Sequence, residues 1–364
     1  MEGDLIHINE WLLPFSWLYG IGVAIRNQLF DMGVLKSKKY DIPIINIGNI
    51  TVGGTGKTPH AEYLIRLLSP SYKIAILSRG YKRKTKGYLL ANAQSTVEDI
   101  GDEPWQMKQK FPNIYIAVDK NRRRGIERLC TDEETRDVEV ILLDDAYQHR
   151  FVKPGMNILL VDYHRMINED KLLPAGRLRE PKSAKNRSDM VIVTKCPYNI
   201  KPIGYRVIQR ALSLMPFQTL FFSTFHYGKL QSMFGEGEKE LQSIGKETSI
   251  LLLTGIAMPQ QMILDLNHYT SNITPLSFPD HHYYSTSNIE YINRKFESLP
   301  RPRIVVTTEK DAARLRFTKG LSDGVKEALY ILPIEVNIMR NEGHKFNDKI
   351  IGYVRKNPRN RSMA

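Results

Sequence analysis

"NIGNITVGGTGKTPH", residues 46–60, places a glycine-rich turn between the apolar run IPIINIG, which starts at residue 42, and the helix-forming AEYLIRLL, which starts at residue 61. A strand that runs through such a turn into a helix is the setting of a phosphate-binding loop. Glycines let backbone N–H groups approach phosphate oxygens, a lysine reaches the terminal phosphates, and the next hydroxyl binds Mg2+. Lys57 and Thr58 hold those two places, and Thr51, Val52, Gly53, Gly54, Thr55 and Gly56 form the rest of the candidate loop. The usual pattern G-x-x-x-x-G-K-[ST] opens on glycine, whereas Thr51 stands there, so a plain flexible glycine turn stays open on this motif alone. Pro59 fits a first helical turn, where the missing N–H would have no partner in any case.

Outward from the loop, short apolar runs recur: IAILSRG at 74, IYIAVD at 114, VILLDD at 140, ILLVD at 158 and MVIVTK at 190. Nearly continuous apolar strands with room for helices between them point to a parallel sheet covered on both faces. The rhythm breaks at TLFFSTFHYGKL and the Gly/Glu-rich FGEGEKELQSIGKE, and a new strand series begins at SILLLTGI and continues with RIVVTTEKD. The expected fold is therefore α/β, a P-loop NTPase-like parallel-sheet domain over 36–222 and a smaller α/β domain over 223–364.

The chain of 364 residues suits two domains, and its 42% hydrophobic and 25% charged content is that of a folded protein. Its net charge of +13, from 52 Lys and Arg against 39 Asp and Glu, favours anionic partners. The basic residues are dispersed and no recognition motif accompanies them, so nucleic acid is not expected. Two cysteines, Cys130 and Cys196, make neither a disulfide framework nor a zinc site and indicate a reducing compartment.

The stretch LLPFSWLYGIGVAI, residues 12–25, is uncharged but shorter than the roughly 20 residues a spanning helix needs. A signal peptide is not expected, since MEGDLIHINE carries Glu2, Asp4 and Glu10 and no basic residue. Ile8, Trp11, Phe15, Leu18, Gly22 and Ile25 recur at helical spacing. Residues 1–35 thus read either as an interfacial membrane helix or as a helix packed on the core.

VEVILLDDAYQHR, residues 138–150, is an apolar strand ending in Asp144 and Asp145, a place for the carboxylate that holds Mg2+, although a strand-end Asp is often only a helix cap. Guanine-specific proteins carry N-K-x-D or T-K-x-D after a later strand; here VIVTKCP has Pro197 in place of the Asp, which weakens a GTPase reading. IGDEPWQM and FPDHHYY add Asp102 and His281, a carboxylate and an imidazole able to share general-base work if the fold joins them. Taken singly, Asp102-Glu103-Pro104 reads as a helix start and His281-His282 as a loop.

The motifs GNITVGGTGKTP, SRGYKRK, GDEP, DDAYQH, LLPAGRLREP, FPDHH and TTEKDA, in this order and approximate spacing from about residue 10 to 315, resemble the tetraacyldisaccharide 4′-kinases, the lipid A 4′-kinases of Gram-negative inner membranes. The resemblance implies ATP-dependent phosphorylation of the 4′-hydroxyl of a tetraacyl glucosamine disaccharide 1-phosphate, with ATP and Mg2+ as cofactors. It implies an amino-terminal membrane-contacting helix, a smaller carboxy-terminal domain joined by a two-stranded linker, a peripheral or monotopic place on the cytoplasmic face, and an anionic lipid surface as partner. A monomer is expected. Residues 51–58 are assigned to ATP, and Lys57 to catalysis. Asp102 is assigned to accepting the hydroxyl proton with His281 as its partner, and Thr58, Asp144 and Glu180 to the metal. Arg79, Glu103, Asp145, Gln148, His149 and Arg179 are assigned to substrate or phosphate. Where the family often reads PAGPLREP, this chain has Arg177 in place of the middle Pro. The rival from another class is a nucleotide-switched binding protein that hydrolyses NTP slowly.

Overall fold

The computed structural model describes residues 8–255, 260–279, 282, 284–316 and 318–357. The chain divides into two compact units, one comprising Met1–Phe225 with Val336–Ala364 and the other His226–Glu335.

The first unit carries strands β1 (Ile44–Gly48), β2 (Ile74–Ser78), β3 (Leu89–Leu90), β4 (Tyr115–Val118), β5 (Val140–Asp144), β6 (Met156–Asp162), β7 (Met190–Thr194) and β8 (Thr219–Tyr227). The second carries β9 (Leu230–Ser232), β10 (Glu238–Lys239), β11 (Ser249–Thr254), β12 (Ile273–Ser277), β13 (Arg303–Thr308) and β14 (Leu329–Leu332), after which β15 (Ile334–Ile338) leads back. The large sheet has the order β15-β8-β7-β6-β1-β5-β2-β4-β3, with β8-β7-β6-β1-β5-β2-β4 parallel throughout. Parallel strands need crossovers, and helices α1 (Leu13–Asp31), α2 (Lys57–Leu68), α3 (Val97–Ile100), α4 (Asp102–Lys110), α5 (Arg122–Thr131) and α6 (Pro202–Leu212) precede or connect them.

Both faces of this sheet are apolar, which is why its strands lack the polar alternation of a half-exposed sheet. Ile44, Leu77, Ala117, Ile141 and Leu143 pack on Ile126 and Leu129 of α5, and Val161, Val191, Val193 and Phe222 pack on Ile208 and Leu212 of α6. On α2, Tyr63 sets its ring edge-on to Phe346 at 5.7 Å, and Phe346 meets Phe221 of β8 at 5.2 Å.

The second unit is a six-stranded sheet, β10-β9-β14-β13-β11-β12, with β14, β13, β11 and β12 parallel. Its helices are α7 (Gln260–Leu266), α8 (Thr286–Glu297), α9 (Glu309–Leu315) and α10 (Asp323–Ala328). Leu251, Leu253 and Val305 pack against Ile289, Ile292 and Phe296, while Ile250, Leu252 and Val306 pack against Met262 and Leu266. One boundary differs from the sequence reading of a single domain over 223–364. Val336–Ile338 of β15 and the last helix, α11 (Gly343–Lys356), belong to the first unit, where the buried Phe346, Ile350 and Val354 of α11 find their partners.

Candidate active site

β1 lies mid-sheet between β5 and β6, and its register pairs Ile47 with Asp144. The glycine-rich loop that leaves β1 and the acidic pair that ends β5 are therefore neighbours by strand register.

Thr51 has a physical reason. It does not adopt a positive φ, so the first loop position asks nothing that only glycine could supply. Thr51 forms an antiparallel bridge with Leu178, flanked by Val52 N–H donating to the Arg177 carbonyl at 2.7 Å and Arg179 N–H donating to the Ile50 carbonyl at 2.7 Å. The loop opens as a short strand. Gly56, in contrast, sits at φ +83°, and a Cβ there would stand 2.8 Å from Phe225 Cζ. Asn49 Nδ2 donates to Thr55 Oγ1 at 2.9 Å and Thr194 Oγ1 donates to the Thr55 carbonyl at 2.9 Å, which fixes the turn from inside. Val52, Gly53 and Gly54 are exposed.

Lys57 and Thr58 open α2 half-buried. Lys57 Nζ lies 3.6 Å from Asp145 Oδ1, and Arg179 Nη1 donates to Asp145 Oδ2 at 3.1 Å. Burial alone would raise the Asp145 carboxyl, but Lys57 and Arg179 outweigh it and hold it below the usual range. Asp145 also stands at φ +47°, a left-handed conformation uncommon outside glycine. Asp144 behaves in the opposite way. Burial, then the charges of Glu103 and Asp145, push its carboxyl up to about 7 against the pull of Lys57 and Arg122. Ser78 Oγ donates to Asp144 Oδ2 at 3.2 Å, while Asp144 Oδ1 is buried with no hydrogen-bond partner. A buried carboxylate oxygen without a donor suits a cation. Among the described residues no group of three or more His, Cys, Asp and Glu could hold a metal ion. Mg2+ fits such a place nonetheless, because it takes one or two protein oxygens and completes its shell with phosphate and water.

Asp102 is buried at the start of α4, and Glu103 beside it contributes to raising Asp144, so the first turn of α4 addresses the acidic pair. The helix is tied to α2 through Glu62, which accepts from Gln106 Nε2 at 3.3 Å and pairs with Lys110 at 2.6 Å. Gln148 Nε2 donates to the Asn49 carbonyl at 2.7 Å, so this residue holds the loop. His149 is neutral at physiological pH: burial, then the fields of Arg122, Arg26 and Arg79, lower it to about 4, and its Nε2 is buried without a partner. Arg79 is exposed. His281 lies outside the described residues.

Glu180, the third residue the resemblance assigns to the metal, is almost wholly buried with both carboxylate oxygens engaged, Oε1 accepting from Asn27 Nδ2 at 3.2 Å and Oε2 from Arg187 Nη2 at 2.5 Å. It is a buried charge neutralised by its own partners. Sequence reasoning also missed Asn49, Ser78 and Arg122. Arg122 is 2% exposed and donates through Nη2 to the Asp144 carbonyl at 3.1 Å, and burial lowers its guanidinium to about 10. Its only sequence signal is its place in a helix start that follows a strand.

α1 is turned inside out. Ser16 Oγ donates to the Leu172 carbonyl at 3.0 Å, Tyr19 Oη to the Arg179 carbonyl at 2.8 Å, and Arg26 Nη2 to the Gln148 carbonyl at 2.9 Å. Most of its apolar side chains face outward: Trp17 is 72% exposed and Leu18 68%, with Phe15, Ile21 and Ile25 also exposed, as is Trp11 (91%) in the turn before the helix, while Phe30 in its last turn is buried. The alternative of an apolar stripe packed on the core therefore fails for this helix. No helix among the described residues is long and apolar enough to cross a membrane.

Comparison with known proteins gives concordant matches. The family model for tetraacyldisaccharide-1-P 4′-kinase matches residues 8–354. The tetraacyldisaccharide 4′-kinase of Phocaeicola vulgatus is 54% identical over the whole of both chains. That of Flavobacterium johnsoniae is 45% identical over 96% of this chain and 98% of its own. The crystal structure of LpxK from Aquifex aeolicus in complex with ATP superposes with a TM-score of 0.70 at 30% identity, covering 94% of this chain and 98% of that one.

Proposed function

From the premise that this chain belongs to the tetraacyldisaccharide-1-P 4′-kinase family and phosphorylates its lipid A precursor with ATP, we propose how its residues divide the work. Residues 51–58 cradle the triphosphate, the exposed Gly53 and Gly54 offering backbone N–H groups and Lys57 a positive charge. The observation that carries this reading is the β1–β5 register, which sets the loop beside Asp144 and Asp145.

In the transfer, the bond from the substrate 4′-oxygen to the γ-phosphorus forms as the bond to the β,γ-bridging oxygen breaks, and ADP leaves. Asp102 accepts the hydroxyl proton. A carboxylate at the start of a helix gains from the N–H groups there as long as it is charged, so it begins as the base rather than the acid. Asp145 holds Lys57 and Arg179 in place, and those cations meet the charge that spreads over the phosphoryl oxygens. Thr58 and Asp144 would hold Mg2+, which when bound neutralises charge on the phosphates. Gln148 holds the loop through the Asn49 carbonyl, while Arg79, Glu103 and the neutral His149 are left to the substrate or its phosphate.

The outward apolar face of α1, with Lys36, Lys38 and Lys39 after it, supports an interfacial helix on an anionic bilayer, the cytoplasmic face of the inner membrane being where ATP meets this lipid. One chain supplies every residue of this reading.

The test follows 32P from γ-labelled ATP with detergent-dispersed disaccharide lipid. Label should reach lipid; label appearing only as free phosphate would restore the NTPase switch. Asp102→Ala should lower kcat by roughly 10²–10⁴, or about 3–5 kcal/mol of barrier. An unchanged kcat removes Asp102 from the base role.

A further inference from the structure

We propose that Arg177 is a further catalytic residue, reaching across Gly53 to the γ-phosphate of ATP and taking up the charge that develops during transfer. This rests on the reading that residues 51–58 hold the triphosphate. The main chain at Arg177 is held from several sides. Its carbonyl accepts from Val52 N–H at 2.7 Å, and its own N–H donates at 3.1 Å to Oδ1 of the buried Asp170. Gly176 before it is packed so closely that a Cβ would strike the Lys171 carbonyl and the Asp170 carboxylate. From this fixed root the exposed side chain runs over the loop, with Nη1 4.0 Å from the place a Gly53 Cβ would take.

Each neighbouring cation is already paired with a carboxylate. Arg179 and Lys57 share Asp145, Arg187 neutralises Glu180, and Arg165 neutralises Asp170. Arg177 has no carboxylate partner among the described residues, so its charge is available to a ligand at the exposed end of the loop. A guanidinium is permanently charged and presents two parallel donors, which match two equatorial oxygens of a planar phosphoryl group. An arginine supplied within the same chain to a transferring phosphoryl group is an established way of lowering that barrier. Gly53, by lacking a side chain, leaves the approach clear.

The experiment uses full-length Arg177→Ala and Arg177→Lys. It measures kcat, KM for ATP and for lipid, the unfolding midpoint, and affinity for MgADP with and without aluminium fluoride, a mimic of the planar phosphoryl group. Arg177→Ala should lower kcat by about 10²-fold with both KM values within about threefold of wild type, the signature of an interaction made in the transition state. Binding of MgADP alone should be unchanged, while the gain from aluminium fluoride should fall by a comparable factor. Arg177→Lys should recover little, since an ammonium cannot make the paired contact. A kcat within about threefold of wild type overturns the proposal and leaves a solvated side chain. A loss confined to KM for lipid also overturns it, placing Arg177 on the phosphate the substrate already bears. Wild-type protein that binds no MgADP would instead overturn the reading of the loop itself.

Discussion

Asp144→Asn tests whether the phosphate end of the sheet carries an electrostatic cost in the folded chain. The Asp144 carboxyl titrates near 3.8 ordinarily and near 7 here, because burial and the neighbouring Glu103 and Asp145 disfavour its charge. A carboxyl raised on folding costs nothing below its unfolded pKa. Its penalty grows as pH rises from about 4 to about 7 and is constant above that. At pH 8 the displacement from 3.8 to about 7 corresponds to about 4 kcal/mol of lost stability. An amide is neutral at every pH, keeps the volume, and can still accept from Ser78 Oγ. The variant should thus be more stable than wild type by about 2–4 kcal/mol at pH 8 and nearly equal to it at pH 4. Urea unfolding of metal- and nucleotide-free protein at a series of pH values reads this directly. MgATP should stabilise wild type but not the variant, whose activity should be lost. A variant no more stable than wild type at pH 8, or a gap that does not widen with pH, would refute the reasoning.

Phe346→Ala, which removes a ring held edge-on between Tyr63 and Phe221, should cost about 3–5 kcal/mol and release α11 to proteolysis; full stability with α11 still protected would mean that this contact does not hold the C-terminal helix. Replacing Trp11, Phe15, Trp17 and Leu18 together by serine should weaken flotation with anionic vesicles by more than about tenfold, at roughly 1–2 kcal/mol per exposed side chain, while leaving the unfolding midpoint near that of wild type. Undiminished flotation would place the membrane contact elsewhere.

The strand series of the first unit was legible because a parallel sheet buried on both faces needs apolar runs with little alternation, and IINIG, IAILS, VILLD and MVIVT are such runs. The loop was legible because Lys57, Thr58 and Gly56 sit at a spacing that few other structures require. Thr51 looked like a departure because the pattern encodes glycine where this chain uses a bridge to Leu178, a residue distant in sequence. The partners of Glu180 were hidden for the same reason: nothing local reveals that Asn27 and Arg187 meet it. The return of β15 and α11 to the first unit could not be read either, since IEVNI carries the strand pattern of either sheet. Periodicity showed that α1 has an apolar stripe but not which way it faces, and only the hydrogen bonds of Ser16, Tyr19, Arg26 and Asn27 decide that.

Those four bonds have a mechanical consequence. Each ends on a segment that also carries a proposed phosphate-handling residue, or beside one: Leu172 a few residues before Arg177, the Arg179 carbonyl, the Gln148 carbonyl and Glu180. A helix resting on a bilayer through its outward rings would act as a lever whose short arm is the active site. Tilt or depth imposed by the surrounding lipid would strain the segments that position Arg177 and Arg179. The packing of the bilayer would then act on turnover as well as on where the enzyme resides.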